Sequence, residues 1–131
     1  MRRADWQMRL ADFLKSRATA AFEWGRNDCC LFTVDAIEVM TGVDHAARFR
    51  GYTTALGAAR VVQQEGGIRQ LATDAWGSPV DPLMAAAGDA VLMLNEGREL
   101  LAICNGTNAL GPGPDGIAVM DMTNALAAWK I

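Results

Sequence analysis

Apolar positions follow a helical period through the first half of the chain and gather into short runs in the second. Trp6, Leu10, Phe13, Leu14 and Arg17 recur at helical spacing and predict a helix over residues 5–18, with Asp5 as its cap. Residues 21–24 read as a short extended piece leading into Gly25. A second helix starts near Asp28 and stops at Gly42, the permissive residue that commonly follows a helix end. Its Cys30, Leu31, Phe32, Val34, Ile37, Val39 and Met40 are apolar on nearly every side, the pattern of a central buried helix. Thr53 or Thr54 caps a third helix through Gln64, ahead of Gly66-Gly67. Ile68, Leu71, Ala72, Ala75 and Trp76 form a fourth stripe, stopped by Gly77, and Pro79 and Pro82 mark a loop.

The later runs are about five residues long, with turn signals between them, and read as antiparallel strands. They cover residues 90–94, 100–104 and 116–120, and residues 127–131 close the sheet. Gly111-Pro112-Gly113-Pro114 reads as a loop between strands; without a following Lys-Ser/Thr or a helix it is no phosphate loop. Helices first and strands later predict an α+β domain, its N-terminal helices packed on a C-terminal antiparallel sheet.

Composition narrows the picture. The 131 residues suit a single domain over 1–131, and 51% hydrophobic residues suffice for one core. The net charge is -3, with no run of Lys or Arg, so nucleic acid is not expected as a main partner. A long, nearly uncharged stretch, residues 77–95, contains Asp81, Asp89, Pro79 and Pro82, and membrane insertion is not expected. Met1-Arg2-Arg3 leads into a charged, periodic stretch, unlike a secretory signal. Synthesis as a soluble cytoplasmic protein is therefore expected. Three cysteines, Cys29, Cys30 and Cys104, make no disulfide framework; no C-x-x-C pair supports a metal site, and no cofactor is implied.

One segment carries candidate chemistry: Phe22-Glu23-Trp24-Gly25-Arg26-Asn27-Asp28-Cys29-Cys30-Leu31-Phe32. It resembles the nucleophile motif of the NlpC-type, papain-like cysteine peptidases, with Cys29 at the nucleophile position and Cys30 replacing the usual serine. Ala87-Gly88-Asp89-Ala90-Val91-Leu92 is similar to that family's Gly-Asp strand, and Leu101-Ala102-Ile103-Cys104-Asn105-Gly106 to its histidine-bearing strand. The resemblance implies the NlpC-type papain-like fold. The whole chain also resembles small phage and prophage proteins encoded near tail genes, through Gly42-Val43-Asp44, Gly51-Tyr52, Gly66-Gly67 and Ala128-Trp129-Lys130. That resemblance implies other tail-tip or hub proteins, and peptidoglycan, as partners, with a place in the distal tail of the virion.

A cysteine attacks as thiolate and needs help to ionise at neutral pH. A helix start at Asp28 supplies part of that help to Cys29, and the neighbouring carboxylate opposes it. The resemblance places the family's histidine at Leu100, which moves no proton. The orienting polar position falls near Gly111 or Pro112. The only histidine, His45, lies past the cysteine helix, some ~18 Å along it at 1.5 Å per residue, and reads as a loop residue. Cys29 is thus a vestige, a nucleophile with an unrecognised base, or simply a buried small apolar residue at a helix start. Were the Cys104 strand to face the helix as in the family, Cys104 would lie near Cys29. Asp28, Asp35 and Glu38 read as cap and solvated face, and Asp89 as a partner for turn amides. Trp24 and Asp28 are candidate binding residues, as is Trp129 in the role of an interface anchor; the tryptophans otherwise read as core. The first functional expectation is a docking component of a phage tail tip that has lost its catalytic histidine. The alternatives are an active peptidoglycan amidase or endopeptidase and, more distantly, a tail-assembly chaperone.

Overall fold

The structure is a computed structural model that describes residues 2–131. The helix called from the first stripe, α1, spans Trp6–Ser16. Asp5 holds the N-cap position as expected, but its side chain makes no capping bond; its carboxylate accepts from Arg9 Nε at 2.8 Å, one turn along. The second helix, α2, spans Cys29–Thr41. Asp28 caps it, accepting from the Leu31 amide at 2.9 Å, and Gly42 closes it at φ 82°. Leu31, Phe32, Val34, Ile37 and Met40 are wholly buried, which explains why its apolar residues cover almost the whole circumference. Thr54 caps α3 (Ala55–Gln64), and α4 spans Ile68–Trp76.

Five strands follow: β1 (Ala90–Asn95), β2 (Arg98–Cys104), β3 (Asn108–Gly113), β4 (Gly116–Asp121) and β5 (Ala125–Trp129). They form one antiparallel sheet in the order β4-β3-β2-β1-β5. The α+β class is as expected, with four helices preceding the sheet. β5 joins beside β1, pairing Ala90 with Trp129, and starts two residues earlier than its apolar run suggests. β3 is the element that the sequence reading missed. Gly111, Pro112 and Gly113 belong to a strand that pairs with β4 along its whole length, from Asn108↔Asp121 to Gly113↔Gly116.

Helices and sheet divide the core in two. On one face, Phe13 of α1, Phe32 and Ile37 of α2 and Leu71 of α4 pack on Leu92, Leu101, Ile103 and Trp129. On the other, Val91, Met93, Ala102, Cys104 and Ala128 are covered by Val80 and Ala85 of the loop after α4, and by Met120 and Met122. Trp129 is 0% exposed, so it is core and cannot anchor a partner, contrary to the interface role raised from its terminal position.

Asp89 fastens both ends of the chain to this sheet. Its buried carboxylate accepts from Arg2 Nη2 at 2.7 Å, from the Ile131 amide at 3.1 Å, from the Ala86 amide at 2.9 Å and from Lys130 Nζ. The expected turn amide is thus one of four donors. Gly88 is held at φ 87° beneath Trp6, whose ring would stand 2.8 Å from any Cβ there. Glycine is required by both conformation and space.

Candidate functional site

The segment before α2 turns tightly, with Glu23 bridging Asn27. Gly25 sits in that turn at φ 83°, and a Cβ on it would lie 2.0 Å from the carbonyl oxygen of Tyr52. Only glycine lets the 52–53 backbone close over the turn. Tyr52 reaches back, its hydroxyl donating to Asp28 Oδ2 at 2.6 Å, and the Gly25 amide donates to the same oxygen at 2.9 Å. With Leu31 N on Oδ1, Asp28 has a partner on each carboxylate oxygen. Asp28 edges the adjoining groove, but its hydrogen bonds organise the fold rather than await a ligand. Asn27 does not cap α2; it accepts from Arg17 Nη1 at 2.8 Å and donates to the Ala21 carbonyl at 2.9 Å.

A groove of about 480 Å³ opens beside this turn. Its floor is the start of α2, one wall is α3, and the other is the start of β2. Trp24, 39% exposed, lies at the groove with its ring edge-on to Phe22, 4.8 Å between centroids. Ala55, Ala58, Ala59 and Val62 of α3 line the groove at helical spacing, yet α3 has no buried residue. The sequence placed these residues on a helix, but did not show them as a wall without a filling.

Cys29 is the first residue of α2 and lines the groove, as does Cys30. Burial, followed by the adjacent Asp28 carboxylate, pushes the Cys29 thiol up to about 11. The same two causes push Cys30 up to about 12. Both thiols are therefore protonated at neutral pH.

No imidazole stands opposite. His45 lies in the loop after α2 and lines a different cavity, of about 240 Å³, with Trp76, Thr41 and Lys130. It packs edge-on to Trp76 at 5.8 Å rather than lying free on the surface. Burial lowers its pKa, with Asp44 opposing, and neither its Nδ1 nor Trp76 Nε1 has a hydrogen-bond partner among the described residues. The two cavities have no lining residue in common.

The sheet corrects two further expectations. Leu101 and Ile103 pack toward α2, whereas Leu100, Ala102 and Cys104 belong to the opposite cluster. Cys104 therefore lies across the sheet from Cys29, and the two are not neighbours. Leu100 touches the groove rim but packs with the far-face cluster, so the register that resembles the histidine position is turned from α2 as well as filled by leucine. Asp35, expected on a solvated face, is half-buried and accepts from Arg17 Nη2 at 3.0 Å and Arg50 Nη2 at 2.5 Å.

Among the described residues, no group of three or more His, Cys, Asp or Glu side chains is arranged to hold a metal ion. No described helix is long and apolar enough to cross a membrane. No curated protein matches the sequence. A family model matches residues 1–131, and the chain belongs to the family described as Domain of unknown function (DUF6950).

Proposed function

We propose that this protein is a non-catalytic docking component of a phage tail tip, built on an NlpC-type papain-like scaffold. The observation that carries the reading is the groove at Cys29: a thiol at a helix start, held protonated, with the only histidine lining a separate cavity. Hydrolysis by a cysteine needs a group that takes the thiol proton and returns it to the leaving amine. The Asp28 carboxylate is committed to Leu31, Gly25 and Tyr52, and it raises the thiol pKa instead of lowering it. What remains is a largely apolar groove, suited to holding a partner. The tail-tip setting comes from the resemblance of Gly42-Val43-Asp44, Gly51-Tyr52 and Ala128-Trp129-Lys130 to tail-gene proteins. Gly42, Tyr52 and Lys130 each hold a defined structural place here, as helix stop, Asp28 partner and Asp89 partner.

The second reading is an active peptidoglycan amidase, favoured by the position of Cys29 in the first turn of α2 beside an open groove. It requires an imidazole from another tail protein. Purification of assembled tails tests the docking reading. The chain is expected in washed particles at a fixed ratio to the other tail-tip proteins; its presence only in the unassembled pool would instead mark it as an assembly chaperone.

A further inference from the structure

Four consecutive residues of β2, Arg98 to Leu101, line the groove. Side chains alternate between faces along a strand, so a continuous run marks the strand's edge rather than one face. The hydrogen bonds show which edge. The Cys104 amide donates to the Asp89 carbonyl and the Gly88 amide to the Cys104 carbonyl, so the polar groups of Cys104 point toward the β1 side. Alternation then points those of Ile103, Leu101 and Glu99 toward β3. Ile103 meets Leu110 there, but pairing of β2 with β3 stops at that point. The next position in register opposite Leu101 belongs to Pro112, which has no N–H to give. From there β3 pairs with β4 alone. Among the described residues, the β2–β3 pairing does not extend to Glu99 or Leu101.

We propose that the groove takes an extended peptide segment of a partner protein, which adds as a strand to the open edge of β2 at Glu99 and Leu101. This rests on the docking reading above and names the chemistry of the partner. Two backbone sites about 7 Å apart, the two-residue repeat of a strand, match a peptide main chain and not an acyl chain or a sugar. The opposite wall, from Trp24 to Ala58 and Val62, receives the apolar side chains of alternate residues. Arg98 and Glu99 form no ion pair with any described residue and stand at the rim as a neighbouring positive and negative charge.

Random twelve-residue peptides selected by display against the full chain supply the probe. The strongest binder is remade with a single N-methyl group at each position in turn. Methylation at alternate positions is expected to weaken binding at least tenfold, and at the intervening positions less than threefold. Hydrogen exchange at the Glu99 and Leu101 amides is expected to slow at least tenfold on binding. Val62→Arg is expected to abolish binding without changing the far-ultraviolet circular dichroism, since α3 has no buried residue. Uniform tolerance of N-methylation overturns the proposal, as does a Leu101 amide already slow to exchange in the free monomer. Self-association that protects the same amides assigns the edge to a second copy instead, and selected peptides that ignore Val62→Arg place binding elsewhere. Loss of copurification with tails while peptide binding persists counts against the tail-tip reading alone; the reverse result counts against strand addition alone.

Discussion

The hydroxyl of Tyr52 donates to Asp28 Oδ2 at 2.6 Å across 24 residues of sequence, tying the loop after α2 to the cap of that helix. Burial and the Asp28 carboxylate push the phenol well above its ordinary range, so the proton stays on Tyr52. Tyr52→Phe removes one charge-assisted bond and leaves Gly25 as the sole donor to that oxygen. A loss of about 1.5–3 kcal/mol in unfolding free energy is expected in a urea titration. An unchanged midpoint would show that the bond is replaced by water at no cost.

Cys29 and Cys30 should resist alkylation at neutral pH. With Cys29 pushed up to about 11, each pH unit below that value lowers its thiolate fraction about tenfold. Iodoacetamide labelling of Cys29 is therefore expected to rise steadily from pH 7 to 10, without the plateau near neutrality that an activated thiol gives. Folding holds these protons more tightly than the unfolded chain, whose thiols have a pKa near 9.0. The resulting stability is fully present below about pH 9 and is lost as pH rises toward 11 and 12.

The two tryptophans named as binding candidates should separate cleanly. Trp129 is fully buried between β1 and the helices, and Trp129→Ala is expected to cost about 3–5 kcal/mol. Trp24 stands at the groove, and Trp24→Ala should cost only the edge-on pairing with Phe22, about 0.5–1.5 kcal/mol. Chemical denaturation of both variants checks the ranking. Equal losses would mean that the groove wall is part of the core.

His45 gives the fold an acid-side sensitivity. Burial lowers its pKa below the ordinary 6.5, so the unfolded chain takes the proton first. Its contribution is complete above 6.5 and falls away as pH drops through the depressed value. His45→Phe keeps a ring against Trp76 and removes the titration. The stability of the wild type relative to this variant is expected to decline between pH 7 and 5; parallel curves would show that the ring is solvated in both states.

The helical half was readable because α1, α2 and α4 carried a helical period, and α2, α3 and α4 a signal where they stop. Asp28, Thr54, Gly42 and Gly77 all stand at helix ends as the sequence suggested. β3 was hidden because Gly111, Pro112 and Gly113 carry loop chemistry, and only the register with β4 makes them a strand. Facing was also out of reach. Whether Leu100 or Leu101 turns toward α2 depends on a one-residue choice of register, which sets Cys104 on the far side of the sheet from Cys29. The cysteine, its neighbouring carboxylate and the missing imidazole could be named in advance. Tyr52 could not be named as the partner of Asp28, because nothing local signals a bond across that loop.

Release of soluble fragments from purified peptidoglycan, measured with wild type and Cys29→Ala in the presence of assembled tails, bears most directly on whether the groove is catalytic. Equal release at the level of a no-protein control is expected, with both proteins shown to be folded. Release by the wild type that Cys29→Ala abolishes would contradict the docking role and make the thiol a working nucleophile.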